Sequence, residues 1–425
     1  MTLLVLFGLF ALLIAIEMPV AFAMGLSAIA TITLTQPIPL SIVVQRMGTG
    51  LDSFVLIAIP LFVLAGHLLN RAGIADRIFA FATALVGHIR GGLAHVNVLA
   101  SMIFAGMSGV AQADAAGLGV VEVNAMRKEG FDPAFAAAVS AASAIIGPII
   151  PPSIPMVVYS QIASQSVVKM FMSGVVPGIL LASGYLVICS IFAHVRKYPR
   201  PAPVTWMQRA RATSSAGWAL IMPLIVIFGI RFGFLTDTEA AAAAALYALV
   251  VSLFIYRSLH FRELAELLTT AGKSAAVILF LLAAAGPFSW LVAESQINLQ
   301  IVGLIRGISS DPTITLITIN VMLLMVGCIL EPLPAMIIFV PTLLPLGAQL
   351  GIDPIQFGSV IVLNLMIGLL HPPIGLLLFV VSNVGRIPLK PIIVDSLPFL
   401  LWSIIVLFLA ILYPPITTWL PSQIR

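Results

Sequence analysis

The sequence predicts an all-α polytopic membrane protein made of two inverted repeats, each holding a re-entrant helical hairpin and a helix broken at mid-membrane. Three observations carry this. Hydrophobic residues make up 61% of 425 positions and charged ones 8%, with a mean hydropathy of +1.16, values that exclude an ordinary soluble domain. The stretch SAIIGPIIPPSIPMVVY, residues 143–159, is apolar enough for a bilayer yet contains a glycine and four prolines, so no continuous helix runs through it. Adding 221 to each number carries Asp132-Pro133 onto Asp353-Pro354, Gly147 onto Gly368, Pro151-Pro152 onto Pro372-Pro373, Lys169 onto Lys390 and Pro177 onto Pro398 without a gap. Apolar composition alone does not give gapless matching of Asp-Pro, Gly, Pro-Pro and Lys. The chain is read as an internal duplication.

In chain order, two spans fit in the first 35 residues, divided near Glu17-Met18-Pro19, and a third runs from about Phe54 to Asn70. A polar, basic loop is expected up to Gly92. From Leu93 to Ala125 the chain is apolar but interrupted at Gly106-Met107-Ser108-Gly109, which leaves two arms of about 15 residues. Each arm is roughly 22 Å long against a hydrocarbon core of about 30 Å, so a hairpin that enters and leaves on one face fits better than two crossings. A broken helix follows from Pro133 to Ser164, then a span from Gly174 to His194. The first repeat is thus placed at 1–197.

A polar linker is expected at 198–215, and the second repeat at 216–425 retraces the first. Its spans are read near Trp218 to Arg231, Ala240 to Tyr256 and Ser274 to Val292. A second hairpin, about 313–346, turns near Gly327 and Glu331; the second broken helix covers about 354–384, and a last span reaches Trp419. Five spans and one hairpin per half make the second half inverted relative to the first. Charge agrees with that count: of 20 Lys and Arg, the loops assigned to the cytoplasm hold all but Arg46, Lys169, Arg231, Arg306 and Arg425. The positive-inside rule then puts both termini in the periplasm, with hairpin one opening from the cytoplasm and hairpin two from the exterior.

Composition also narrows the function. The net charge of +4 comes without a basic helix or finger spacing, which argues against nucleic acid. Cys189 and Cys328 lie in apolar runs, form no metal spacing and are read as small core residues. The chain opens on an apolar run with no Lys or Arg before Arg46, so the charged start of a signal peptide is missing. No HExxH, GxSxG or phosphate-binding glycine loop occurs, which argues against an enzyme. A passive channel or scaffold subunit is the remaining alternative to a carrier, and inverted repeats with opposed hairpins favour the carrier.

The chemistry concentrates at the tips and breaks. Ser108 to Asp114 place small and polar residues at the start of a half-helix, where free amides suit a substrate carboxylate, while the preceding arm offers carbonyls to a cation. Asp114 at mid-membrane is disfavoured by about 2.5 to 3.5 kcal/mol on insertion scales, so it is either a cap or ion pair within the bundle or a cation-linked group. Glu331 at the second tip carries the same two readings. Ser143 and Asn364 correspond under the repeat and either face the tips or make interhelical hydrogen bonds. His67 reads as a satisfied core residue; His371, directly before Pro372-Pro373, could make coupling pH-sensitive.

With SGVAQADAAGLG, IIPPSIPMVVY, EPLPAMIIFVPTLLP and GLLHPPIGLLLFV in order along nearly the whole chain, the sequence closely resembles the large membrane subunit of TRAP transporters, the tripartite ATP-independent periplasmic carriers of the DctM type. The resemblance implies an elevator-type fold of the ion-transporter superfamily, with a moving domain of about 93–170 plus 312–390 and the remainder as scaffold. It implies sodium-coupled import of an organic anion, a carboxylate or acidic sugar, in the bacterial inner membrane, with a proton-coupled carrier as the alternative. No cofactor is expected beyond the coupling ion. Implied partners are a small four-span membrane subunit, expected on a separate chain, and a periplasmic substrate-binding protein. The family's sodium sites carry over to Ser108, Gly109, Ser143 and Gly147 in the first repeat and to Gly327, Glu331, Asn364 and Gly368 in the second. Asp114, Pro152, Ser153, His371 and Pro373 are expected to face the substrate. This chain departs from the family pattern at His371, where a threonine commonly precedes the Pro-Pro pair, and at Gln112, where an apolar residue is common.

Overall fold

The computed structural model of the chain describes residues 1–35, 37–295 and 311–424, with side chains throughout except at 105–108. Among the described residues every regular element is helical. The first half runs α1 (Thr2–Ala15), α2 (Val20–Thr35), α3 (Ser41–Leu51), a 3-10 turn (Phe54–Ile57) leading into α4 (Ala58–Arg71), and α5 (Ile74–Val86). Hairpin one follows as α6 (Gly92–Ser108), α7 (Ala111–Ala116) and α8 (Leu118–Lys128). The first broken helix is α9 (Pro133–Ala144) with α10 (Ile154–Ala163), and α11 (Val167–Val195) closes the half.

The second half begins with α12 (Trp206–Arg231), α13 (Asp237–Val250) extended by a π turn (Val251–Ile255), and α14 (Phe261–Glu294). Hairpin two is α15 (Pro312–Gly327) with α16 (Pro332–Gln349). The second broken helix is α17 (Pro354–Gly368) with α18 (Leu376–Gly385), followed by α19 (Leu389–Leu412) and α20 (Pro415–Ser422). The offset of 221 holds for elements as well as residues. It takes Ala111 and Lys128, the ends of the α7–α8 arm, onto Pro332 and Gln349, the ends of α16, and Pro133 onto Pro354, the first residue of α17. It also takes α3, the turn and α4 together onto the single long helix α14.

The repeat is written into the helix starts. Asp132 caps α9 by accepting from Ala134 N at 2.8 Å, and Asp353 caps α17 by accepting from Ile355 N and Gln356 N at 2.7 and 3.1 Å. In both, proline fills the first helical position, where its missing N–H is no loss.

The last span ends at Leu412 rather than reaching Trp419, with Pro415–Ser422 a separate helix, and the helices differ from the expected spans in three further places. Where a loop was expected before Gly92, Ile74, Ile78 and Ala82 make a buried stripe at helical spacing, and α5 packs with it against α6. Its outward Arg77 donates to Ser215 Oγ at 2.8 Å and stacks on Tyr256, so a basic residue read as loop is a helix tie. The polar linker is shorter than expected, because Thr205 and Gln208 form a reciprocal capping box that starts α12 at Trp206. The third is α3, a helix between the second and third spans that matches the first part of α14.

Among the described residues, seven helices are long and apolar enough to cross a membrane. One of them, α16, is a hairpin arm; at 18 residues it is about 27 Å long, just short of the hydrocarbon core. Its partner α15 has 16 residues and is shorter still. Length alone would class α16 as a span, but its correspondence with the α7–α8 arm makes it the second arm of the hairpin.

The two halves interlock. In the outer part α4 packs on α13 while α14 packs on α2, each half lending its third long helix to the other's second. In the inner part α10 packs on α16 and α17, while α18 packs on α7, α8 and α9. Small residues make the approach possible: α9 is PAFAAAVSAASA, buried from Ala134 onward, and Gly358 of α17 lies directly against the Tyr159 ring. Tyr159 then donates to Pro354 O at 2.7 Å, fixing α10 across the start of α17. At one edge Arg196 binds Asp395 through both oxygens, at 2.9 and 2.5 Å, and reaches Asp132 at 3.4 Å, so the end of α11 holds α9 and α19 together.

Candidate functional site

Each break is a short segment in which the helical ladder stops; the first is buried almost throughout, whereas the second exposes Pro373 and Ile374. In the first, Ser153 caps α10 by accepting from Met156 N at 3.3 Å and closes the loop by donating to Pro148 O. Pro155 in the first turn of α10 adds no amide hydrogen. The second break spans Leu369 to Gly375, with Leu377 N donating back across it to Leu369 O at 3.1 Å. Both breaks contain a cis proline bond, Pro151-Pro152 and Pro372-Pro373.

The hairpin tips rest on these breaks. Gly109 sits at φ +62° and a Cβ there would lie 3.0 Å from Pro152 O, so both conformation and space call for glycine. At the second tip a Cβ on Gly368 would be 2.8 Å from the Gly327 backbone, which makes the contact between α15 and α17 one of main chain on main chain. Asp114, buried on hairpin one, faces Gly147 closely enough that a methyl group at Gly147 would collide with its Oδ2. The structure therefore brings Gly109, Ser143, Gly147 and Asp114 to the first break, and Gly327, Asn364 and Gly368 to the second. The side chain of Ser108 lies outside the described residues.

Polar contacts around the two matched positions differ. Asn364 is buried; its Nδ2 donates to Asn320 O and Oδ1 at 2.7 and 2.8 Å, while its Oδ1 accepts no hydrogen bond among the described residues. A buried oxygen without a donor is costly unless something positive meets it. Ser143 donates to Asn97 Oδ1 at 2.7 Å and accepts from Ser101 Oγ at 2.9 Å. Both residues make interhelical hydrogen bonds; Asn364 keeps Oδ1 without a donor among the described residues, while the single Ser143 Oγ is already donor and acceptor and has one lone pair left.

Between the tips lies a cavity of about 270 Å³. Hairpin one lines it with Gly109, Val110, Ala111 and Gln112, and hairpin two with Glu331, Pro332 and Leu333. Pro148, Ile154 and Pro155 come from the first broken helix, Met366 and Leu369 from the second, and Ile278 from α14. Among the described residues its only charged lining residue is Glu331. Pro152, Ser153, Asp114, His371 and Pro373 are not among the residues that line it.

His371 instead faces hairpin two: its Nδ1 lies 3.0 Å from Cys328 Sγ and 2.5 Å from Pro372 O. Cys328 is therefore more than the small core residue expected, being half of a pair that ties hairpin tip to break, whereas Cys189 is fully buried in the core. His67 lies away from the tips, 3.2 Å from Ser274 Oγ, in a separate cavity of about 350 Å³ bounded by Arg71 and Glu263. The residues the sequence reading passed over are Asn97, Ser101, Glu122 and Ser140. The available signal was Glu122, a second carboxylate on the arm that carries Asp114, set within the apolar run Leu118 to Val123.

Comparison with known proteins adds to this geometry. Residues 7–416 match the family described as tripartite ATP-independent periplasmic transporter, DctM component. The chain is similar to the sialic acid TRAP transporter large permease protein SiaM of Vibrio cholerae, at 40% identity over 98% of this chain and 97% of that one. It is also similar to the C4-dicarboxylate TRAP transporter large permease protein DctM of Pseudomonas aeruginosa, at 37% identity over 94% of each chain. Among solved structures, the YdaH transporter of Alcanivorax borkumensis superposes with a TM-score of 0.65 at 14% identity, covering 88% of both chains, a likeness of fold.

Proposed function

The chain belongs to the DctM component family of tripartite ATP-independent periplasmic transporters, and from that premise we propose that it imports an organic anion across the bacterial inner membrane, driven by sodium. The substrate is a carboxylate or acidic sugar, received from a periplasmic binding protein. A small four-span membrane subunit completes the permease. Both termini face the periplasm, and the hairpins and broken helices move together against the outer helices as an elevator.

The observation that carries the coupling is the charge of the cavity between the tips. It has room for a small solute, yet among the described residues its lining offers an anion no lysine or arginine and presents the carboxylate of Glu331. An anion beside a carboxylate in a low-dielectric site is strongly disfavoured, so a cation bound with the substrate supplies the missing charge. The residues at the breaks suit a hard cation: Asn364 Oδ1 and Ser143 Oγ are buried oxygens, and the interrupted ladder leaves carbonyls free to ligate. The helix start at hairpin two adds little for the anion, since Pro332 and Pro334 have no amide hydrogen and only Leu333 N–H lies between them.

The energetics are sufficient. One net positive charge moving inward across 100 mV gains about 2.3 kcal/mol, which is roughly fiftyfold accumulation before a sodium gradient is added. Two sodium ions with a monoanion leave one such charge. Uptake by proteoliposomes holding both membrane subunits, with candidate acids loaded on the binding protein, is expected to require sodium outside. A Hill coefficient above one in sodium is expected as well. Sustained single-channel currents from the purified chain would instead support a pore.

A further inference from the structure

We infer that Glu122 is a positioning residue for the first cation site: through a directed chain of hydrogen bonds it keeps the Ser143 hydroxyl proton turned away, so that Ser143 meets the cation as an acceptor. The inference rests on the sodium reading above.

Glu122 lies on α8, is 1% exposed and makes no ion pair among the described residues. Ser140 Oγ donates to its Oε2 at 3.1 Å, and Asn97 Nδ2 donates to Ser140 Oγ at 2.6 Å. Ser143 Oγ donates to Asn97 Oδ1 at 2.7 Å, and Ser101 Oγ donates to Ser143 Oγ at 2.9 Å. The direction is forced from one end. With Glu122 a carboxylate, Oε2 only accepts, so Ser140 spends its single proton there and can only accept from Asn97. Asn97 must then point its amide nitrogen at Ser140, an orientation also favoured by Met126 Sδ at 3.9 Å, and its oxygen at Ser143. Ser143 gives its one proton to Asn97 Oδ1, with Ser140 O on its own helix a longer second acceptor at 3.2 Å, and so has lone-pair density and no hydrogen left for the site.

The second repeat reaches the same end without a carboxylate. Offset by 221, Asn97, Ser101, Glu122 and Ser140 become Thr318, Met322, Leu343 and Ile361. There the matching residue is Asn364, whose donor and acceptor are different atoms; Asn320 holds the donor and Oδ1 is left as acceptor. A hydroxyl carries both functions on one oxygen and needs its proton held. Glu122, absent from the second half, supplies that hold in the first.

The test is sodium-dependent thermal stabilisation of the purified full-length chain, reading the sodium concentration that gives half of the rise in Tm over the same series in potassium. E122Q, whose amide can donate to Ser140 and release the order of the chain, is expected to raise that concentration about tenfold, as loss of an outer partner does for metal sites. S140A, which cuts the next link and leaves the carboxylate, is expected to raise it similarly, and the double variant no further. Should E122Q fail to fold in potassium, S140A carries the test. An unchanged half-concentration in the folded variants, or additive shifts in the double, overturns the inference while leaving sodium coupling intact. A wild-type chain that sodium stabilises no more than potassium overturns the coupling reading and this inference with it.

Discussion

Asn364 and the Cys328–His371 pair show how much turns on single side chains at the second break. Asn364→Ala removes an oxygen from the proposed cation site but not an apolar contact; it is expected to raise the half-saturating sodium concentration by about tenfold or more without preventing membrane insertion. Measured uptake against sodium, with expression checked, decides this. Cys328 is the second prediction. Both cysteines are buried, Cys189 at 0% and Cys328 at 7% exposure, but only Cys328 sits in the contact between tip and break, so a small thiol reagent that adds a methylthio group there should part the tip from His371 and lower uptake. Cys328→Ser is expected to transport normally and resist the reagent. The sequence marked Asn364 and His371 through the repeat and their nearness to Pro-Pro. It could not mark Cys328 or Asn320, because partners 43 and 44 residues away are set by how the hairpin docks, not by any local pattern.

At the scale of elements, the proposed elevator motion requires the contact between the outer helices and the central ones to permit movement. Ser53, just before the 3-10 turn that leads into α4, donates to Gln161 Oε1 on α10. Joining Ser53→Cys and Gln161→Cys with a short cleavable bifunctional reagent, in a background lacking Cys189 and Cys328, is expected to stop uptake and to restore it on cleavage. Uptake that persists across the link would contradict relative movement of these elements. Packing is equally specific at α17: Gly358→Ala would push a methyl group into Tyr159, with an expected loss of about 1–3 kcal/mol read as a lower Tm. Hairpins and broken helices were legible because glycine and proline interrupt apolar runs that are too short to cross. The helices α3 and α5 were not, since their amphipathic stripes are short and their basic residues resemble loop. The start of α12 was legible in principle from Thr205-x-x-Gln208.

For the molecule as a whole, the offset of 221 extends from ten identical residues to the boundaries of corresponding helices, and the halves exchange partners at every layer. Such an arrangement can take two equivalent poses with inside and outside reversed, which is what a carrier needs. It also demands an opposite orientation for the two halves. A reporter after Arg425 is expected to label from the periplasm and one in the 197–205 segment only from the cytoplasm; both on one side would refute the inversion.

The central claim, that an anion enters a cavity whose described lining carries the charge of Glu331 alone because sodium enters with it, is tested most directly by uptake into proteoliposomes under imposed gradients. The complete permease with a loaded binding protein is expected to accumulate substrate with sodium outside, faster when the interior is negative. It should fail when potassium replaces sodium, whatever the proton gradient. Equal uptake in potassium, or uptake that follows the proton gradient, would contradict the account.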